Sequence, residues 1–308
     1  MSLLQVLIFR GKTGDSMADK NYLHTAYANS ADGTDGFTTV YPNLNLEKHT
    51  EKLVDESNTL LWGAKGGTTA TIAYEAVTIP DNSKIVNGVH VTQTSIGQSG
   101  WRSPSGTNGG SIPVVSGGKY TISVYLKNNS SNDVIIDLQL GTSATVNQDS
   151  PKYVFSHITV PANSDYEKYS TTVTIPSGNS YAWCYAYTKN TTTSADWSMA
   201  GYKLEQGSTA TPWMPSASEV STADWPKFVG TYVDTNSTSS TDPSKYDWDE
   251  MKYRVYLDGV AVGGSKLMSF DLENLTSGAT YNVQVNQTNG NDESDKSESV
   301  AFKTTLTK

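Results

Sequence analysis

"YAWCYAY" runs from Tyr181 to Tyr187, and its reading decides how the surrounding region folds. At the two-residue period of a β-strand, Tyr181, Trp183, Tyr185 and Tyr187 share one face, while Ala182, Cys184 and Ala186 share the other. Half-buried strands ordinarily alternate apolar with polar residues, but this one alternates large aromatic with small. Either the rings are a seam of the core, or the small face looks inward and the rings stand outside as a platform.

The flanking sequence repeats the strand pattern. "KYTISVYLKN" (Lys119–Asn128) places Tyr120, Ile122, Val124 and Leu126 on one face. "VIIDLQL" (Val134–Leu140) and "YSTTVTIPSG" (Tyr169–Gly178) are similar, each bounded by Gly, Asn, Ser or Pro. The one helical pattern is short, "NLEKHTEKLVDES" at Asn45–Ser57. Many short strands between turn signals predict an all-β chain of sandwiches or barrels.

Composition narrows the function. The chain has 308 residues, enough for two or three domains, with 36% hydrophobic and 17% charged residues. A net charge of −9 argues against nucleic acid or an anionic membrane as partner. No stretch approaches the roughly 18 apolar residues of a membrane span. The single cysteine, Cys184, excludes an intrachain disulfide and a multi-thiolate zinc site, and the four histidines show no ligand spacing. "GKT" at Gly11–Thr13 lacks the earlier glycine of a phosphate loop, since Val6 stands there. The N-terminal stretch also lacks the features of a signal peptide, and residues 1–20 are expected to be a tail, with Met17 an alternative start.

Three stretches carry resemblances. "YRVYLDG", "LTSGATYNVQV" and "SVAFKTT", between Tyr253 and Thr305, resemble a fibronectin type III module over its last five strands, without its first two. The resemblance implies that Tyr281 is a buried corner tyrosine whose hydroxyl returns to backbone. "KFVGTYVDTNSTSSTDPSKYDW" (Lys227–Trp248) resembles a motif of phage tail and baseplate proteins, which usually follows a segment like "NYLHTAYANSADGTDGFTTV" (Asn21–Val40). "NTLLWGAKGG" (Asn58–Gly67), "VSGGKYTISVYLKNNS" (Val115–Ser130) and "MAGYKLEQGSTATPWMP" (Met199–Pro215) resemble the jelly-roll carbohydrate-binding modules of phage tail and neck proteins.

Together they imply a tail at 1–20 and a discontinuous virion-attachment module at 21–57 plus 217–250. A jelly roll at 58–216 is inserted into it, and a fibronectin type III-like sandwich follows at 251–308. Trp225, Phe228 and Trp248 are expected to pack on Tyr22 and Tyr27.

Sugars present flat C–H faces ringed by hydroxyls, so a site for them needs rings to stack on and polar groups around the rings. The resemblance favours the platform reading, with Trp183 and Tyr185 at its centre and Tyr181 and Tyr187 beside them. Trp101 and Arg102, in the Gly/Ser-rich "GQSGWRSPSGTNGG" (Gly97–Gly110), are a second candidate, and Trp197 is a possible extension. Each tryptophan has core packing as its alternative. Trp62 and Trp213 are expected to be structural.

No G-x-S-x-G, H-E-x-x-H or recognisable carboxylate pair suggests an enzyme. The turn "NSADGTDG" is expected to be an Asx/Gly turn, with calcium as the lesser alternative, and no other cofactor is expected. The expected function is non-enzymatic adhesion of a phage virion to host cell-wall or surface polysaccharide. The alternative is a purely structural decoration of tail or neck. Other tail, baseplate or neck proteins are the expected partners on the virion.

Overall fold

A computed structural model describes residues 21–47, 69–80, 82–103, 111–273, 275–290 and 292–305. The N-terminal tail, most of the helical pattern, the stretch Asn58–Gly67 with Trp62, and part of the loop Gly97–Gly110 lie outside the described residues.

After β1 (Tyr22–Ala28) the chain enters a ten-stranded unit. Its strands are β2 (Ala70–Ala76), β3 (Asn87–Gln93), β4 (Gly100–Arg102), β5 (Ile112–Pro113), β6 (Lys119–Asn128), β7 (Val134–Ser143), β8 (Lys152–Val160), β9 (Ser164–Thr174), β10 (Tyr181–Thr188) and β11 (Ala195–Gln206). They form two five-stranded antiparallel sheets, β4-β10-β7-β8 with β5 beside β10, and β2-β3-β11-β6-β9. The core between them takes Ile122, Val124 and Leu126 from β6 and Ile136, Leu138 and Leu140 from β7. Val89 and Val91, Met199 and Leu204, and the small face of β10 complete it. This is the sandwich that the period-two patterns predict.

Gly201, at φ +58°, marks an irregularity in β11 that keeps Trp197 and Met199 before it, and Tyr202 and Leu204 after it, on the core side. The same shift turns Lys203 and Glu205 to the other face. There Lys203 Nζ donates to Thr211 Oγ1 and to the Pro212 carbonyl, both at 2.6 Å, and lies 3.4 Å from Glu205 Oε2. Burial pushes the Lys203 ammonium down to about 8 against the opposing pull of Glu205. The "YKLEQGSTATPWMP" motif is thus a buried polar clasp.

The chain returns in β12 (Phe228–Asp234), β13 (Asp247–Glu250), β14 (Tyr253–Leu257), β15 (Val260–Ser265), β16 (Thr280–Asn289), β17 (Asp292–Glu293) and β18 (Val300–Lys303). β1 pairs with β12 antiparallel across the whole insertion, giving the sheet β1-β12-β13.

The compact units are Leu44–Val220 on one side and the chain before Leu44 with Ser221 onward on the other. Residues 44–47, expected in the attachment module, instead join the sandwich. Asn45 Oδ1 accepts from the Leu204 amide at 3.0 Å, and Leu46 N donates to the Leu204 carbonyl at 2.8 Å.

The C-terminal stretch also departs from expectation. Its described strands form one sheet, β15-β14-β16-β17 with β18 on β16, so residues 251–305 supply only one layer. A sheet face left bare by a single layer must be covered, and aromatic residues of the small module lie against the face that carries the buried Arg254 and Asn286. Tyr41 stacks on Trp225 with ring centroids 5.7 Å apart, and Arg254 lies over Trp225 at 5.0 Å while donating to Tyr41 Oη at 2.8 Å. Trp225, Phe228 and Trp248 were expected on Tyr22 and Tyr27; among the described ring contacts Tyr27 meets Tyr41, Trp225 stacks on Tyr41, and Trp248 meets Phe37 and Tyr246. Tyr281 is half-buried, and its hydroxyl accepts from the Thr276 amide at 2.9 Å.

Candidate functional site

β10 lies between β4 and β7, and its small residues point inward. Ala182, Cys184 and Ala186 are all fully buried in the sandwich core, where burial raises the Cys184 thiol well above its ordinary range. The aromatic residues therefore stand on the outer face of the sheet, apart from the core. They are not exposed, however. Trp183, Tyr185 and Tyr187 keep 1, 6 and 5% of their surface and form a separate buried cluster, while Tyr181 is half-buried.

The open platform expected from the sequence is thus corrected to a closed aromatic layer, for local reasons. Gly141 on β7 faces Trp183, and the indole occupies the space where a side chain would stand: a Cβ there would lie 2.2 Å from its ring. Trp183 Nε1 donates to Tyr185 Oη at 2.5 Å, and Tyr185 and Tyr187 are 5.0 Å apart. The Arg102 guanidinium lies 5.8 Å from the Tyr185 centroid and donates to Gln148 Oε1 at 3.5 Å. Gln148 belongs to the β7–β8 loop and has φ +62°. Burial pushes the Tyr185 and Tyr187 phenols above their ordinary range.

The second candidate pair divides. In register, Arg102 faces Tyr185 and Trp101 faces Ala186, so the arginine points outward and the tryptophan inward. Trp101 is buried in the core against Tyr202, at 4.8 Å. Trp197 is likewise fully buried in the core. Neither tryptophan belongs to the outer face. Trp101 shares the inward face with its register partner Ala186, and Trp197 lies in the central strand β11.

The same face holds residues that the sequence reading missed. Across β7, Tyr185 is opposite Gln139 and Tyr187 is opposite Asp137. Across β8, Gly141 is opposite Tyr153, Gln139 is opposite Phe155, and Asp137 is opposite His157. Tyr153 and Phe155 are 46 and 50% exposed, and the Tyr153 and Tyr185 rings lie 6.3 Å apart. His157 Nδ1 lies 2.5 Å from Asp137 Oδ1. The signal was present in "KYVFSHITV", whose period-two alternation puts Tyr153, Phe155 and His157 on one side.

The face thus combines a buried aromatic floor, two open rings, and the polar groups of Gln139, Arg102, Asp137 and His157. That is the chemistry of a surface for a flat, hydroxyl-rich ligand. Among the described residues, no group of three or more His, Cys, Asp or Glu could hold a metal ion. In the "NSADGTDG" turn, Asp32 Oδ1 accepts from Ser30 Oγ at 2.6 Å and from Thr34 Oγ1 at 2.8 Å. These donors, with the Thr34 amide, hold its carboxyl down to about 2.

Two β units, one discontinuous and one inserted, define a modular all-β protein, and comparison with known proteins supplies the class. The chain is 43% identical to a chain of the tripod (BppUct-A-L) from the baseplate of bacteriophage Tuc2009, with TM-score 0.65, covering 95% of this chain and 100% of that one. Residues 226–284 match the family described as Minor structural protein 5-like, C-terminal domain. The chain belongs to the family of bacteriophage baseplate tripod proteins and is a protein of the virion baseplate. A xylan-binding CBM22-1 domain of Paenibacillus barcinonensis Xyn10C also matches, at 13% identity and TM-score 0.35, over 56% of this chain and 96% of that one. No curated protein matches.

Proposed function

We propose that the inserted sandwich binds polysaccharide of the host cell surface through the outer face of β4, β10, β7 and β8, while the discontinuous unit holds the chain in the baseplate. The observation that carries this reading is the aromatic layer of Trp183, Tyr185 and Tyr187. It lies outside the core and continues into the half-exposed Tyr153 and Phe155. Stacking falls to the open rings, with Gln139 and His157 beside them as hydrogen-bonding groups and the closed rings as a rigid floor. The role is adhesion without catalysis and requires no metal. Modest affinity per copy suffices, because repeated copies on one particle raise avidity by roughly 100- to 10,000-fold.

The full chain, fluorescently labelled, is expected to decorate host cells and purified cell walls. The double variant Tyr153→Ala/Phe155→Ala is expected to keep its unfolding transition and lose adhesion. The closure of the β10 rings favours a second reading, a sandwich that only decorates or stiffens the baseplate. Bare cells with the folded wild-type chain would establish it. Release of reducing sugar from the walls would overturn the non-enzymatic assignment.

A further inference from the structure

The two edges of the sheet β1-β12-β13 are built differently. β13 reads Asp247-Trp248-Asp249-Glu250, and charged residues of this kind discourage further strand pairing. β1 carries no such guard, reading Tyr-Leu-His-Thr-Ala-Tyr-Ala. Tyr27 N donates to Thr38 O at 2.8 Å, and Thr38 N donates to Tyr27 O at 2.9 Å, on the side of β1 away from β12. Backbone groups alternate sides along an antiparallel strand, so the N–H and C=O groups of Thr25 and Leu23 point the same way as those of Tyr27. Among the described residues nothing pairs with them.

This edge opens on a groove of about 640 Å³ within the same unit, lined by Leu23, Val40, Val262, Leu267, Phe270 and Leu272. Leu23 and Leu267 are 52 and 62% exposed, and Val40 is 39% exposed beside them. Asp271, Glu273 and Lys266 also line it; both carboxylates are exposed, whereas Lys266 Nζ is paired with Asp247 Oδ2 at 3.0 Å, which leaves the carboxylates as the groove's net charge.

We propose that the β1 edge is a strand-addition site for an extended segment of another protein chain of the baseplate. Its backbone pairs with Leu23 and Thr25, and its alternate side chains, apolar, enter the groove against Leu267, Phe270 and Leu272. Two features specify the occupant. Unpaired N–H and C=O groups at a two-residue spacing are matched by an extended backbone, which supplies both at that spacing. The exposed Asp271 and Glu273 complement a lysine or arginine on that segment, and an overall charge of −9 disfavours an acidic one.

The test uses the full chain, alone and co-assembled with the remaining subunits of its baseplate, with hydrogen exchange read at the Leu23 and Thr25 amides. Exchange is expected to be fast in the free chain and slowed at least about tenfold on assembly. Thr25→Pro removes only an outward N–H, which an edge strand tolerates. It should therefore keep the unfolding transition and fail to incorporate. If it unfolds the unit, Leu23→Lys/Leu267→Asp provides the same test from the surface.

Unchanged exchange on assembly, or wild-type incorporation of a folded variant, overturns the proposal. Protection that grows with the concentration of the isolated chain would assign the edge to a second copy. Protection of the dilute chain that vanishes on deleting residues 1–20 would assign it to the chain itself. Either result also overturns the proposal.

Discussion

β10 and β8 flank the same strand, β7, and both carry aromatic residues on the outer face of one sheet, yet they differ in exposure. On β10, Trp183 and its neighbours are closed off; on β8, Tyr153 and Phe155 are open to solvent. The difference lies in what stands beside each ring. Trp183 has the hollow above Gly141 and a hydrogen bond to Tyr185, and Tyr185 has Arg102 near its ring. β8 is an edge strand whose rings face Gly141 and Gln139 on their only paired side. A ring on an outer face is thus buried or open according to its lateral neighbours, and two strands with similar patterns differ in what they offer: the β10 rings are closed into the structure, and the β8 rings are the ones open to the contact proposed above.

The largest effect is expected from Trp183→Ala. Removing a closed indole leaves a cavity and costs about 3–5 kcal/mol, with the Tyr185 hydroxyl losing its donor in addition. Urea unfolding of the full chain measures the cost, and the reaction of Cys184 with a thiol reagent provides a second readout, since that thiol is buried on the opposite side of the same strand. A midpoint shifted by less than about 1 kcal/mol would remove the distinction between β10 and β8.

The sequence carried part of this division. Period two in "YAWCYAY" separated the inward Ala182, Cys184 and Ala186 from the aromatic row. It carried nothing about what lies beside that row, because Gly141 and Arg102 come from strands distant in sequence. Trp101 and Arg102 were legible only as neighbours in a polar loop; the pairing of the three-residue β4 with β10 sends them to opposite faces. Tyr153 and Phe155 are legible by the same alternation, but the sequence does not say that β8 is an edge strand whose rings stay open. The pairing of β1 with β12 has no local signal, and its two halves were joined only through a resemblance. The single-sheet nature of residues 251–305 is a property of pairing that strand patterns do not encode.

A smaller effect is expected from the phenols of β10. Burial holds the Tyr187 phenol above the tyrosine range of the unfolded chain, about 10. A raised folded value means that this contribution to stability is complete below pH 10 and is lost as pH rises beyond it, because the unfolded chain releases the proton first. Wild-type stability should therefore fall above pH 10. Tyr187→Phe should fall less steeply, by up to about 1.4 kcal/mol per pH unit for one proton. Urea midpoints measured at pH 9, 10 and 11 provide the slopes. Equal slopes would mean that Tyr187 ionises as freely in the folded protein as in the unfolded chain.

The smallest effect on stability, and the most informative one for function, is expected from Phe155→Ala. The ring is half-exposed and its inward neighbour Val154 already packs on the core, so truncation should cost no more than about 1 kcal/mol. If β8 is the contact surface, adhesion to host walls should nevertheless fall at least about tenfold, the equivalent of about 1.4 kcal/mol of stacking. The paired measurement separates the two strands: Trp183→Ala should lose adhesion and stability together, whereas Phe155→Ala should lose adhesion alone. A Phe155→Ala chain that still adheres while Tyr185→Ala, refolded and stable, does not would move the contact surface back to β10. That outcome requires the closed aromatic layer to open when it meets its ligand, with the Arg102–Gln148 hydrogen bond as the first contact to break.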